Sequence, residues 1–348
     1  MEKRETNVDI LRCLCIFAVV FIHATANFMV DNYPSVDSKI ILILSIFTSC
    51  AVPLFYMLSG AFLIKDKNTD IKKVLKKTLH IYLQLILWTI IYQLMFKFIQ
   101  HQDIDFVNVI IKSFTISQVG HLWFMYPLLG LYVLLPLITK LYVNLNDKQK
   151  RYLILILCII PTIISTIKIK YNDIISLPYF SVGFPEIGLF ILGKYLYDKK
   201  EICNKKTFIL SLLLIIVGFF LVKYISNFYI DSQGISHSKP YFDYNKLPNL
   251  MMIVGIFIIM INAKSVSTKL PIKLKKIINY IGANTLGIYF IHMIYIYLFP
   301  TIKIGKIYLT SNSGNFWNML LGSLFYFAVS ILSVLILNHI PILKKLVK

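Results

Sequence analysis

Arg12 and His23 stand eleven residues apart in one long apolar run, with Asp9 before them and Asn27 after. Eleven residues at about 100° each make about three turns, so on a helix both side chains share one face, roughly 16 Å apart along the axis. Placing an arginine within a bilayer costs about 2.5–3.5 kcal/mol on lenient insertion scales. Two ionisable groups on one stripe of an apolar helix therefore point to use. An imidazole there suits general-base work, and a guanidinium suits a negative group or a carbonyl oxygen. Bland roles compete: Asp9 lies one turn before Arg12 and can pair with it, and His23 can simply hydrogen-bond a neighbouring helix.

The elements that must position these residues are transmembrane. The chain has 348 residues, of which 57% are hydrophobic and 15% charged, against about 25% charged in soluble domains. A net charge of +20 would suggest nucleic acid in a soluble protein. Here the lysines fall between apolar runs, as topology signals do, so nucleic acid is excluded as a partner and the lipid bilayer is expected. Apolar segments long enough to span recur near 8–30, 40–64, 78–99, 122–143, 150–169, 179–197, 207–229, 247–264, 283–302 and 316–341. The expected fold is all-α and polytopic, with about ten transmembrane helices. With both termini cytoplasmic, 25 basic residues fall inside and 10 outside, leaving Arg12 in the membrane. The first span has no cleavage site and is expected to be retained. Ile104 to Thr115 reads as a short interfacial helix. The five cysteines, Cys13, Cys15, Cys50, Cys158 and Cys203, form no metal-type pair, so no metal or disulfide framework is expected. Three arginines among 36 basic residues suggest AT-rich, bacterial coding.

Other polar residues fall within or beside the spans. Tyr289 and His292 lie one turn apart, and His121, Trp123 and Tyr126 stand where the fourth span meets the outside. Trp123 and Tyr126 suit either aromatic anchoring or sugar stacking. Ser59 is a hydroxyl beside Gly60, a pairing that also permits close helix packing. Glu186 follows Pro185 inside a span, where a carboxylate is either functional or paired with Arg12 or Lys194.

Five segments in order carry a resemblance. Arg12-x10-His23 resembles the first-helix signature of the bacterial membrane acyltransferase-3 family. Pro53 to Leu63, containing Leu58-Ser59-Gly60, looks like its "FF-x-LSG-F-L" element. His121-Leu122-Trp123-Phe124 with Leu131-Tyr132 is similar to its "HLWF…LY" segment. Phe190 to Leu196 resembles "F-x-LG-x-YL", and Asn284 to His292 resembles "S-x-GIY-x-IH". The family's cytoplasmic Arg-x-x-Arg element appears in altered form. Lys72, Lys73, Lys76 and Lys77 replace arginines there, and His80 stands where a proline is common. Lysine still binds phosphate as a point charge but lacks the bidentate fork.

The resemblance implies a multi-pass enzyme of the bacterial cytoplasmic membrane, a single domain over residues 1–348 with no attached soluble domain. It would move an acyl group, acetyl from acetyl-CoA foremost, to a hydroxyl of a surface glycan or its lipid-linked precursor. His23 and Arg12 would be catalytic, and Lys72, Lys73, Lys76 and Lys77 would hold the donor. Asn27, Ser59, His121, Trp123, Tyr126, Glu186, Tyr289 and His292 would line the cavity. A homo-oligomer or a separate extracytoplasmic transferase partner stays open. The rival readings are an exporter or flippase of glycan precursors, for which no internal repeat is found, and a non-catalytic membrane subunit.

Overall fold

The structure, a computed structural model, describes residues 4–65, 69–101, 103–167, 185–200, 204–234, 244–305 and 307–348. Lys67, Cys203 and residues 179–184 of the expected sixth span lie outside the described residues.

The first helix, α1 (Thr6–Asp31), is the axle of the bundle. Around it pack α2 (Val36–Thr48), α3 (Ala51–Leu63), α11 (Leu247–Asn262), α13 (Ile272–Ala283), α14 (Thr285–Leu298) and α15 (Phe316–His339). The remaining helices are α4 (Ile71–Gln100), α5 (Phe106–Lys112), α6 (Met125–Asn144), α7 (Asp147–Ile154), α8 (Ile160–Ile167), α9 (Pro185–Asp198), α10 (Lys205–Gln233), α12 (Lys264–Lys269) and α16 (Lys344–Val347). A tight turn over Gly120–Phe124 leads into α6, and an irregular turn over Leu155–Ile159 joins α7 to α8. The short helix expected within Ile104 to Thr115 is α5.

Seven helical stretches among the described residues are long and apolar enough to cross a membrane: α1, α2 with α3, α4, the Gly120–Asn144 stretch, Asp147–Ile167, Lys205–Phe228 and α15. Helices α13 and α14, bent by 78° at Asn284, make an eighth if taken as one span. Ten would require α9 and α11 as well, at 14 and 16 residues, short of the roughly 20 that a span needs. Among the described residues, length and apolarity therefore carry seven or eight spans. Helix α9 owes its place to protein contact, since Gly188 to Lys194 are all buried.

The α3–α9 contact explains two of the glycines. A Cβ on Gly60 would sit 1.7 Å from the Phe190 carbonyl oxygen, and one on Gly193 would sit 2.1 Å from that of Met57. The two backbones cross in contact, as small residues permit between membrane helices. Helix α10, by contrast, leaves Phe220, Tyr224 and Phe228 exposed, the surface of a helix that faces lipid.

One element was not foreseen. Thr301–Ile304 and Ile307–Thr310 pair as an antiparallel hairpin, β1 and β2, between α14 and α15. Four-residue strands beside a glycine carry too little periodicity to announce themselves. The hairpin delivers the segment Ser311–Gly314 onto α1.

Candidate active site

The stripe on α1 is real. Arg12, Ile16 and Val19 line one cavity of about 230 Å³, and His23, Ala26 and Asn27 line a second of about 480 Å³. Their spacing of three and four residues keeps them on one helix face.

The first cavity is mostly apolar. Arg12 shares its wall with Ser59, Phe62, Tyr132, Thr285 and Tyr289. The Arg12 guanidinium bonds the buried Asp9 carboxylate at 2.7 Å and lies 4.9 Å from the centre of the Phe62 ring. Asp9 also takes a hydrogen bond from Arg4. Two arginines on one buried carboxylate leave an excess of positive charge beside the cavity. Asp9 is thus the partner of Arg12, and Glu186 is not: the Glu186 carboxylate accepts from the Tyr244 hydroxyl at 3.0 Å, while Lys194 pairs with Asp198 at 2.9 Å. Next to Arg4, Glu5 accepts from Tyr197 and Lys200. Burial alone would raise its pKa, but these bonds outweigh burial and hold the carboxyl below its usual range.

Of the four lysines at the start of α4, Lys77 is the one the fold brings near. Its ammonium lies 5.1 Å from the centre of the Tyr132 ring, itself a wall of the first cavity. Lys72, Lys73 and Lys76 are exposed, Lys73 facing Asp70 at 3.6 Å.

Between the two cavities lie three imidazoles. The His23 ring centre is 5.3 Å from that of His292 and 6.1 Å from that of His121, and His121 and His292 are 5.4 Å apart. His292 is wholly buried, and its Nδ1 lies 2.7 Å from the Tyr289 carbonyl. With Nδ1–H as the donor, Nε2 is left with its lone pair. Among the described residues, neither that Nε2 nor either ring nitrogen of the buried His121 has a hydrogen-bond partner. Unpartnered buried nitrogens are costly, and a group of them facing one another marks a place built for a ligand or a proton. Tyr289 joins the two chambers, for it lines the first cavity and its hydroxyl donates to the His121 carbonyl, while His121 lines the second. From α4, Tyr92 packs edge-on against His121 at 4.7 Å and donates to the Phe290 carbonyl at 2.7 Å, fixing both members from behind.

Asn312, which no spacing in the sequence singles out, sets α1 beside His23. Its Oδ1 accepts from the N–H groups of Asn27 and Phe28, at 2.9 and 3.3 Å. Its Nδ2 donates to the His23 carbonyl at 3.4 Å and its backbone N–H to the Ala24 carbonyl at 2.7 Å. Those four groups are the partners of two successive rungs of the α1 hydrogen-bond ladder, so Asn312 is wedged into the helix within the turn that follows the imidazole. The only hint is its left-handed backbone, φ 54°, a conformation that asparagine tolerates.

Three expected lining residues stand elsewhere. Tyr126 donates to the carbonyls of Ser113 and Ile116, tying the start of α6 to the segment that follows α5. Trp123 is exposed and packs beside Phe124. Glu186 belongs to the Tyr244 contact. His121, Tyr289, His292, Ser59 and Asn27 line the two chambers or the cluster between them. Among the described residues no group of side chains could hold a metal ion.

A helical bundle with several membrane-spanning helices, and a polar cluster where two cavities meet, defines a multi-pass membrane protein. The acyltransferase-3 family model, described as an acyltransferase domain, matches residues 5–339, and the chain belongs to that family. It is a membrane acyltransferase, and its family works from an acyl donor. No curated protein and no solved structure matches the chain significantly.

Proposed function

We propose that the protein transfers an acyl group, acetyl in the first instance, from acetyl-CoA to a hydroxyl of a surface glycan or its lipid-linked precursor in the bacterial cytoplasmic membrane. The observation that carries this reading is a pair of separate cavities along one face of α1, divided at Tyr289, with His23 and His121 lining the second and His292 packed beside them. A donor confined to one side and an acceptor confined to the other need one point of contact inside the bilayer.

The Arg12 cavity takes the donor. Its apolar wall suits the slender pantetheine arm running past Arg12 toward Tyr289, and Lys77, with Lys72, Lys73 and Lys76 on the exposed start of α4, meets the phosphates left outside. The His23 cavity takes the acceptor, with Asn27 at its wall. His23 removes the proton from the acceptor hydroxyl, whose oxygen attacks the thioester carbonyl carbon. The carbon–sulfur bond breaks, the acyl group stays on the acceptor oxygen, and the thiolate leaves as coenzyme A after taking up a proton. His292 and His121 complete the imidazole cluster through which that proton is relayed, and Arg12 orients the donor on its way to them. Asp9 and Arg4 are positioning residues for Arg12.

The test uses purified protein, acetyl-CoA carrying a labelled acetyl group, and envelope glycan fractions from cells lacking the protein. The expected result is label on glycan hydroxyls that His23→Ala abolishes. Label on no glycan fraction, with coenzyme A released at the same rate from both proteins, overturns the reading.

A further inference from the structure

A third cavity, of about 240 Å³, opens between α2 and α10, away from the histidines. Tyr33, Lys39, Lys223, Ser226, Asn227 and Asp231 bring the polar groups to its wall. Lys223 lies within the apolar stretch Lys205–Phe228, where a charged side chain is costly and calls for a partner. Ser226 is wholly buried, and its hydroxyl has no hydrogen-bond partner among the described residues. Two ammonium groups and a buried hydroxyl around one space of this size form a donor set for a tetrahedral oxyanion. Asp231 supplies one negative charge at the same wall, so the net charge matches a singly charged phosphodiester.

The surroundings identify where such a phosphate comes from. Phe220 and Phe228 on α10, and Ile43 and Phe47 on α2, are exposed apolar residues flanking the cavity. Phe47 stacks on Phe219 at 5.1 Å and closes the groove at one end. An ion alone has no use for these walls, whereas a lipid fills both parts, its phosphate among the lysines and its chains along α10. We propose that this cavity binds the phosphodiester headgroup of a membrane lipid, with Lys39, Lys223 and Ser226 donating to its oxygens.

Purified full-length protein in non-ionic detergent, titrated with phosphatidylglycerol and followed by its thermal midpoint, tests the assignment. Diacylglycerol with the same chains, and inorganic phosphate, are the two control titrants. Saturable stabilisation by phosphatidylglycerol alone is expected. A surface lysine contributes about five-fold to anionic-lipid affinity, so Lys39→Gln with Lys223→Gln should weaken binding by about 30-fold. Ser226→Ala should weaken it a few-fold. If the double variant does not fold, Lys39→Gln alone serves, because Lys39 is exposed, and a five-fold loss is expected. Unchanged phosphatidylglycerol affinity in the lysine variants overturns the site. Equal stabilisation by diacylglycerol reduces it to an apolar groove, and equal stabilisation by inorganic phosphate removes the lipid; either overturns the proposal. None of these readouts depends on acyl transfer.

Discussion

At the scale of single residues, the question is which imidazole does the work. His23 faces the larger cavity, whereas His292 is sealed and spends one nitrogen on the Tyr289 carbonyl. General-base catalysis contributes about 10²–10⁴-fold, so His23→Ala should lose nearly all transfer while inserting and purifying normally. Retention of more than about a tenth of wild-type transfer would contradict that role. Arg12 offers a finer test. Lysine keeps its charge but loses the planar fork, which can hold Asp9 and a donor oxygen together. Arg12→Lys is expected to fold and lose most activity, and Arg12→Ala to lose all of it; full activity in either removes Arg12 from the reaction. Asn312→Ala removes the oxygen shared by two N–H groups of α1, and that of the buried Phe28 costs about 1–3 kcal/mol if left unmet. A positioning role predicts that kcat falls while donor KM is unchanged, a split that plain unfolding does not produce. Arg12 and His23 were legible because ionisable residues are conspicuous in an apolar run. Asn312 was not: in a Ser-Asn-Ser-Gly stretch an asparagine reads as an ordinary turn, and its partners are 285 residues away.

At the scale of elements, the helices were legible from the length of the apolar runs, and their bends and crossings were not. The break at Asn284 falls at the edge of the expected run 283–302, where the lysine-bearing α13 gives way to the apolar α14, but the 78° angle that brings Tyr289 and His292 to α1 left no mark in the sequence. The Ser59-Gly60 pair suggested close packing from the sequence, whereas Gly193 stood out only through the resemblance, and packing explains both glycines. A methyl group on either would collide with a backbone carbonyl that has no rotamer to escape into. Gly60→Ala and Gly193→Ala should each cost at least the about 1–3 kcal/mol typical of overpacking. Size-exclusion profiles and thermal midpoints of the purified variants check this; wild-type stability in both would mean that α3 and α9 do not cross so closely. Ser59→Ala leaves that crossing alone and alters only the Arg12 cavity wall, so its stability should match the wild type.

At the scale of the whole molecule, positive charge gathers at the Arg12 end. Replacing Lys72, Lys73, Lys76 and Lys77 with Gln should weaken acetyl-CoA binding and flatten its dependence on salt, once orientation in the membrane is verified. Unchanged donor affinity would make the cluster a topology signal alone. The two cavities have a further consequence, and it is electrical. Each elementary charge that crosses a membrane releases about 2.3 kcal/mol per 100 mV, so a through-passage would discharge the cell that makes it. The partition between the cavities is about one side chain thick: Tyr289 bonded to the His121 carbonyl, with His292 behind it. The enzyme must therefore also be an insulator, admitting an acyl group past a barrier that stops hydronium. Proteoliposomes of the wild type should hold a pH gradient, and removing the Tyr289 hydroxyl as Tyr289→Phe should make them leak.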